Sequence, residues 1–329
     1  MVKNFLRNHL GNVNSLLVII TFALVIAIPF ELFLFAYAFI GPIHYLSEIA
    51  WLDKKNYFIN SKIQRNFFVF LAFFVAILFL IKFFSDNFVR IYFSKFYIDK
   101  FITSFIFITF SIAGILALCQ DSSKKFIILL TSVILLTLIL RGIFLYEIFF
   151  SILLTSIIHV WLFTAIFMIN GTISSRSKYE LITLIIFLFC SLAIFFIDNN
   201  NYKISQFAYN ELSSGNITGI NTLLSDIFSF KQRNSFNANN NVQSFITFAY
   251  TYHYLNWFSK AKIIKWHKLS RPKILALTSF YLLVLGFYFI DYRTGFLITI
   301  FLSMAHVFLE FPLNFLSFRQ LKYHILPRK

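Results

Sequence analysis

A chain of 329 residues that is 59% hydrophobic and only 13% charged, with a mean hydropathy of +0.77, lacks the polar surface a soluble domain needs. The formal charge of +16 sits in short connections between apolar runs, which points to membrane topology and anionic lipid headgroups and away from nucleic acid. Two cysteines, Cys119 and Cys190, supply neither a disulfide framework nor a thiolate metal site.

About 20 mostly apolar residues cross a bilayer as a helix, and this rule predicts an all-α polytopic bundle of about nine spans within a single integral membrane domain over residues 1–329. Lys3 and Arg7 precede the first apolar run, which over 15–40 is too long for a cleaved signal and reads as a retained span. Gly41 to Leu52 then reads as a short interfacial or re-entrant helix, with Pro42 near its start where a missing N–H is tolerated. Further spans are expected at 66–84, 100–119, 125–141, 144–170 and 180–198. The stretch 199–241, bounded by Asn199-Asn200-Asn201 and Asn239-Asn240-Asn241, reads as a long polar external loop, either a connection or a lid with a short surface helix. The last spans are expected at 242–258, 273–291 and 294–318. The first of these carries Tyr250, Thr251, Tyr252, His253, Asn256 and Trp257, too polar for a lipid-facing helix and tolerable only inside a bundle.

The connection 259–273 holds Lys260, Lys262, Lys265, Lys268, Arg271 and Lys273 with no acid, so it is expected in the cytoplasm, and the C-terminus with it, for a protein of a bacterial-type plasma membrane. Lys82, Arg90, Lys95 and Lys100 disagree with that alternation, tempered by Asp86 and Asp99.

Two segments put a histidine and a glutamate four residues apart on one helix face: His44 with Glu48, and His306 with Glu310. Ionisable groups in hydrocarbon are costly and mark function or a partner. With His159 and His253, two further histidines in apolar runs, they form a candidate ligand set, since imidazole is a common ligand for iron, zinc and copper and bundle cores build metal sites from different helices. Glu48 and Glu310 are placed to ligate or to orient a ligand ring, and Tyr252 or Tyr254 to line a pocket. The bland alternative is that each histidine hydrogen-bonds a neighbouring helix and orders the packing. Glu31 reads as part of a proton path or the metal site, or as a helix-kink partner; Glu147 lies beside Arg141; Asp291 and Arg293 read as a local ion pair. No H-E-x-x-H, phosphate-loop or G-x-S-x-G motif occurs.

The run Gly41-Pro42-Ile43-His44-Tyr45-Leu46-Ser47-Glu48 resembles the Gly-x-Pro-His-x-x-x-Asp signature of the Brp/Blh family of membrane carotene dioxygenases, and His159 and His253 are similar in order to that family's later intramembrane histidines. The proline is shifted by one, Glu48 stands in place of Asp, and Ala249 and Trp257 flank His253 where the family has a second histidine. The resemblance implies a non-haem Fe(II) held by His44, His159 and His253, with His306 as the fourth ligand, and O₂-dependent cleavage of a carotenoid. The function expected is therefore a membrane-embedded metalloenzyme, with iron as cofactor, or zinc or haem, acting on a carotenoid, isoprenoid or lipid among membrane lipids. Its competitors are a proton- or ion-coupled transporter that uses the same residues and a non-catalytic assembly partner.

Overall fold

The computed structural model describes residues 2–84, 95–118, 123–199, 202–214, 219–228, 238–260 and 270–325. Cys119, Asp86, Arg90, Lys262, Lys265, His267, Lys268, Arg328 and Lys329, with most of the basic connection between the last spans, lie outside the described residues. The described residues form helices and no strands: α1 (Val2–Ala27), α2 (Pro29–Lys54), α3 (Lys62–Phe84), α4 (Lys95–Leu118), α5 (Ser123–Leu140), α6 (Phe144–Ser175), α7 (Lys178–Ala193), α8 (Gln206–Ser214), α9 (Gly219–Ile227), α10 (Asn240–Ser259), α11 (Arg271–Ile290) and α12 (Tyr292–Ile325).

Seven helical segments among the described residues are long and apolar enough to cross a membrane, and Val13–Ala27 and Lys125–Leu140 are shorter apolar helices. The division of the N-terminal region differs from the sequence expectation. The apolar run over 15–40 breaks at Ile28 because Pro29 cannot continue the helix, and α2 restarts with Pro29 at its first position. Nor is Gly41 to Leu52 a separate helix. It continues α2 through a π turn over Ala36–Ile40, whose wider winding accommodates Pro42 without ending the helix. The stretch 199–241 contains α8 and α9 among its described residues.

The chain divides into two compact units, one of residues 1–44 and 160–296 and the other of 45–159 and 297–329. The division falls inside the continuous helices α2, α6 and α12.

In the first unit α1 packs on α7 and α10, and α10 packs on the start of α2. Phe187, Phe248 and Tyr252 form the centre of the core with Val18 and Val25. The polarity of α10 has a local cause. Pro29 has no N–H to give the carbonyl of Val25, and the hydroxyl of Ser244 donates to that carbonyl instead at 3.0 Å. Thr247 donates to the Pro29 carbonyl at 2.7 Å. Beyond the break, the phenols of Tyr292 and Tyr281 donate to the carbonyls of Leu34 (3.0 Å) and Phe39 (3.2 Å). Asn239 caps α10 by accepting from the Val242 N–H, and the buried Asn221 side chain ties α9 to that cap. Glu31 belongs to this scaffolding: it accepts hydrogen bonds from the Tyr202 phenol and from the Ser205 N–H at 2.9 Å.

In the second unit α3 packs on α4 and α4 on α5. Phe79 meets Phe308, and Phe110 meets Phe311 and Phe315, so that α12 is held by aromatic contacts. One face of α12 carries Thr299, Ser303, His306, Glu310, Asn314 and Ser317 at spacings of three and four, and all six are buried. After α2 the chain turns through Asn56, Tyr57 and Phe58, three successive non-glycine residues with φ of 53°, 53° and 57°. Each left-handed residue costs about 1–2 kcal/mol. Burial, and then the neighbouring Asp53 carboxylate, push the Tyr57 phenol up to about 12, against an opposing pull from Arg65.

Candidate metal centre

The four sequence-selected histidines fall into two pairs, and each pair meets through Nε2 atoms. In the first unit His44 on α2 faces His253 on α10 at 3.1 Å. In the second, His159 on α6 faces His306 on α12, also at 3.1 Å. All four rings are buried. Two nitrogens each about 2.0–2.1 Å from one ion and about 100° apart stand about 3.1 Å from each other, so either separation fits an edge of a coordination polyhedron.

Local winding brings these rings into place. The π turn Ala36–Ile40 precedes His44 by one helical turn, and His159 lies within a longer π stretch, Phe149–Phe163. Such widened turns recur at functional sites because they re-aim side chains that an α-helix would point elsewhere. His44 rests against Tyr254, with ring centroids 5.0 Å apart, and edge-on to Trp257 at 5.7 Å. His306 is stacked on Tyr45 at 4.4 Å. Of the two tyrosines expected to line a pocket, Tyr254 does approach the histidines, whereas Tyr252 stacks among Phe187 and Phe248 in the core.

Two of the four rings are also held through Nδ1. Thr164 bonds to His253 Nδ1 at 2.8 Å and His306 Nδ1–H donates to the Ser303 carbonyl at 2.5 Å, while Glu310 Oε2 stands 3.4 Å from His159 Nδ1. The Ser303 contact fixes the tautomer of His306, because a carbonyl only accepts; Nε2 of His306 is therefore a bare lone pair. That lone pair faces His159 Nε2 across 3.1 Å, where a proton on His159 Nε2 or a cation between the rings would satisfy it.

The first unit thus carries buried His44 and His253, and the second buried Glu48, His159, His306 and Glu310, all of them donor types that bind metal ions. One turn beyond Glu310, the buried Asn314 has neither amide atom hydrogen-bonded among the described residues.

Thr164, Ser303 and Tyr45 are the contributors that sequence reading missed. Thr164 carries no local signal, since it meets His253 only across helices. Tyr45 adjoins His44 in sequence yet stacks on His306. Glu147, expected beside Arg141, accepts from the Gly142 N–H at 3.2 Å, and Asp291 caps α12 by accepting from the Thr294 N–H at 2.8 Å. Those Thr294 hydrogen bonds hold the Asp291 carboxyl below the usual range, with Arg293 a lesser influence. No family model, curated protein or solved structure matches the chain.

Proposed function

We propose that the protein is a membrane-embedded, histidine-ligated metalloenzyme, probed most directly as an iron protein, that acts on a hydrophobic carotenoid, isoprenoid or lipid. The observation that carries this reading is the geometry of the two Nε2 pairs, each 3.1 Å apart. Each separation is close to that of two nitrogens bound to one ion, which His44 with His253 and His306 with His159 would hold. Imidazoles and a carboxylate with open positions are the donor set of Fe(II) oxygenases, and the likeness of Gly41–Glu48 to the Brp/Blh signature supports the same assignment. An iron held here would supply O₂ chemistry. The chain's own residues would bind and orient: in the first unit His44 and His253 as ligands with Thr164 fixing ring orientation, and in the second His306, His159 and Glu48 as ligands with Ser303 and Glu310 fixing ring orientation. The apolar helices would exclude water and admit a substrate from the bilayer. The orientation that accompanies this reading has the basic connection after α10 and the C-terminus on the cytoplasmic side.

A second reading has its own support. A shared proton satisfies the Glu310–His159–His306 chain as well as a cation does, and a proton relay of this kind would serve a coupled transporter. Metal analysis of the purified chain separates the two. About one iron per chain, lost in His44→Ala and in His306→Ala but retained in His324→Ala, an exposed histidine, is the expected result. Metal-free protein that drives proton-dependent uptake in vesicles would overturn it.

A further inference from the structure

At the end of α2, in the second unit, a cavity of about 380 Å³ is lined by Lys55, Asn56, Phe58, Ile59, Asn60, Leu316 and Arg319. Its lining contains two cations, two amides and no acid. Asp53, outside that lining, acts on Tyr57 together with Arg65. Arg65 donates to Asn56 Oδ1 at 2.7 Å, which assigns the amide and leaves the NH₂ of Asn56 as a donor. One wall is the left-handed turn Asn56–Tyr57–Phe58. Strain over three consecutive non-glycine residues persists only where the surroundings over-determine it, and it concentrates at ligand clamps.

The place of the cavity says what kind of anion can reach it. Lys55 follows directly on a candidate span that ends at Lys54, the next span opens at Lys62, and Arg319 lies in the last two turns of α12. The cavity therefore sits where helices leave the hydrocarbon, at the level of lipid phosphates. Ile63, Phe67 and Phe70, at spacings of four and three on α3, are 83%, 45% and 68% exposed and offer an apolar face that starts at the same level. A volume of this size is that of a small-ligand site and exceeds what a bare ion fills.

We propose that Lys55, Arg319, Asn56 and Asn60 bind a phosphate group, presented by an anionic phospholipid whose acyl chains lie along α3. The proposal is independent of the metal centre. The chemistry is charge-assisted hydrogen bonding of phosphate oxygens by a guanidinium and an ammonium, with amide donors completing the shell. A free phosphate is the other source of the same group.

The test uses the full chain, purified and delipidated in detergent, with native mass spectrometry as the readout. Phosphatidylglycerol is expected to bind in preference to zwitterionic phosphatidylcholine, and Lys55→Gln with Arg319→Gln to weaken it about tenfold or more, while Lys55→Arg with Arg319→Lys retains it. Both positions are exposed, and an unchanged thermal midpoint in detergent serves as the check that the double variant is folded. Equal retention of the two lipids, or of phosphatidylglycerol by wild type and the glutamine variant, would overturn the proposal. Displacement of the lipid by millimolar inorganic phosphate would overturn the lipid as the source.

Discussion

Thr164 shows how much one hydroxyl can decide in a buried site. It holds Nδ1 of His253 at 2.8 Å and so leaves Nε2 aimed at His44. Partners of this kind orient ligand rings, and their loss typically costs 10- to 100-fold in metal affinity. Thr164→Val is expected to weaken metal binding by about that factor in a chelator competition, with Thr164→Ser close to wild type. A packing histidine would leave metal affinity unmoved in both variants. The histidines and glutamates themselves were legible in the sequence, because ionisable residues stand out against apolar runs. Their Nδ1 partners were not: a threonine or a main-chain carbonyl in a helix carries no mark until the fold brings a ring to it.

Among the elements, prolines account for most of the departures from a simple reading of apolar length. Pro29 divides what looks like one span, and the carbonyl it orphans explains the otherwise puzzling serine on α10. Pro42, which suggests a helix start, is instead absorbed by a π turn. The hairpin of α11 and α12 depends on Gly295, where a Cβ would lie 2.4 Å from Cγ of Tyr288. That atom is the ring's point of attachment, so a flip of the ring leaves the clash in place. Gly295→Ala is expected to destabilise the fold by about 1–3 kcal/mol, read as a lowered thermal midpoint in detergent. Unchanged stability would show that the hairpin does not need so close an approach. The polarity of α10 was legible as a sign of burial, but its purpose, to serve carbonyls freed in another helix, depended on seeing Pro29 beside it.

For the whole molecule, apolar length and charge placement lead to one testable orientation. A reporter joined at the C-terminus is expected to be active on the cytoplasmic side, as is one placed between α10 and α11, and a periplasmic signal from either would reverse the assignment. Against the nine expected spans, seven segments among the described residues meet the length and apolarity of a crossing helix, while α10 is too polar and the apolar parts of α1 and α5 are too short. Composition counts apolar residues along the chain and is blind to which helices are wrapped by others. α10 therefore reads as a doubtful span from sequence and as a buried helix in the fold.

By itself the sequence determined a helical chain with segments long and apolar enough to cross a membrane, and the residue types able to hold a metal, because hydropathy and ionisable outliers are local properties of the chain. Only the tertiary structure decided that the histidines meet in Nε2-to-Nε2 pairs, that Glu31 secures a turn, and that Lys55 and Arg319 share a cavity. The physical reason is that such pairings join residues as many as 264 positions apart, as Lys55 and Arg319 are, and no periodicity within one helix records which face of another it will meet.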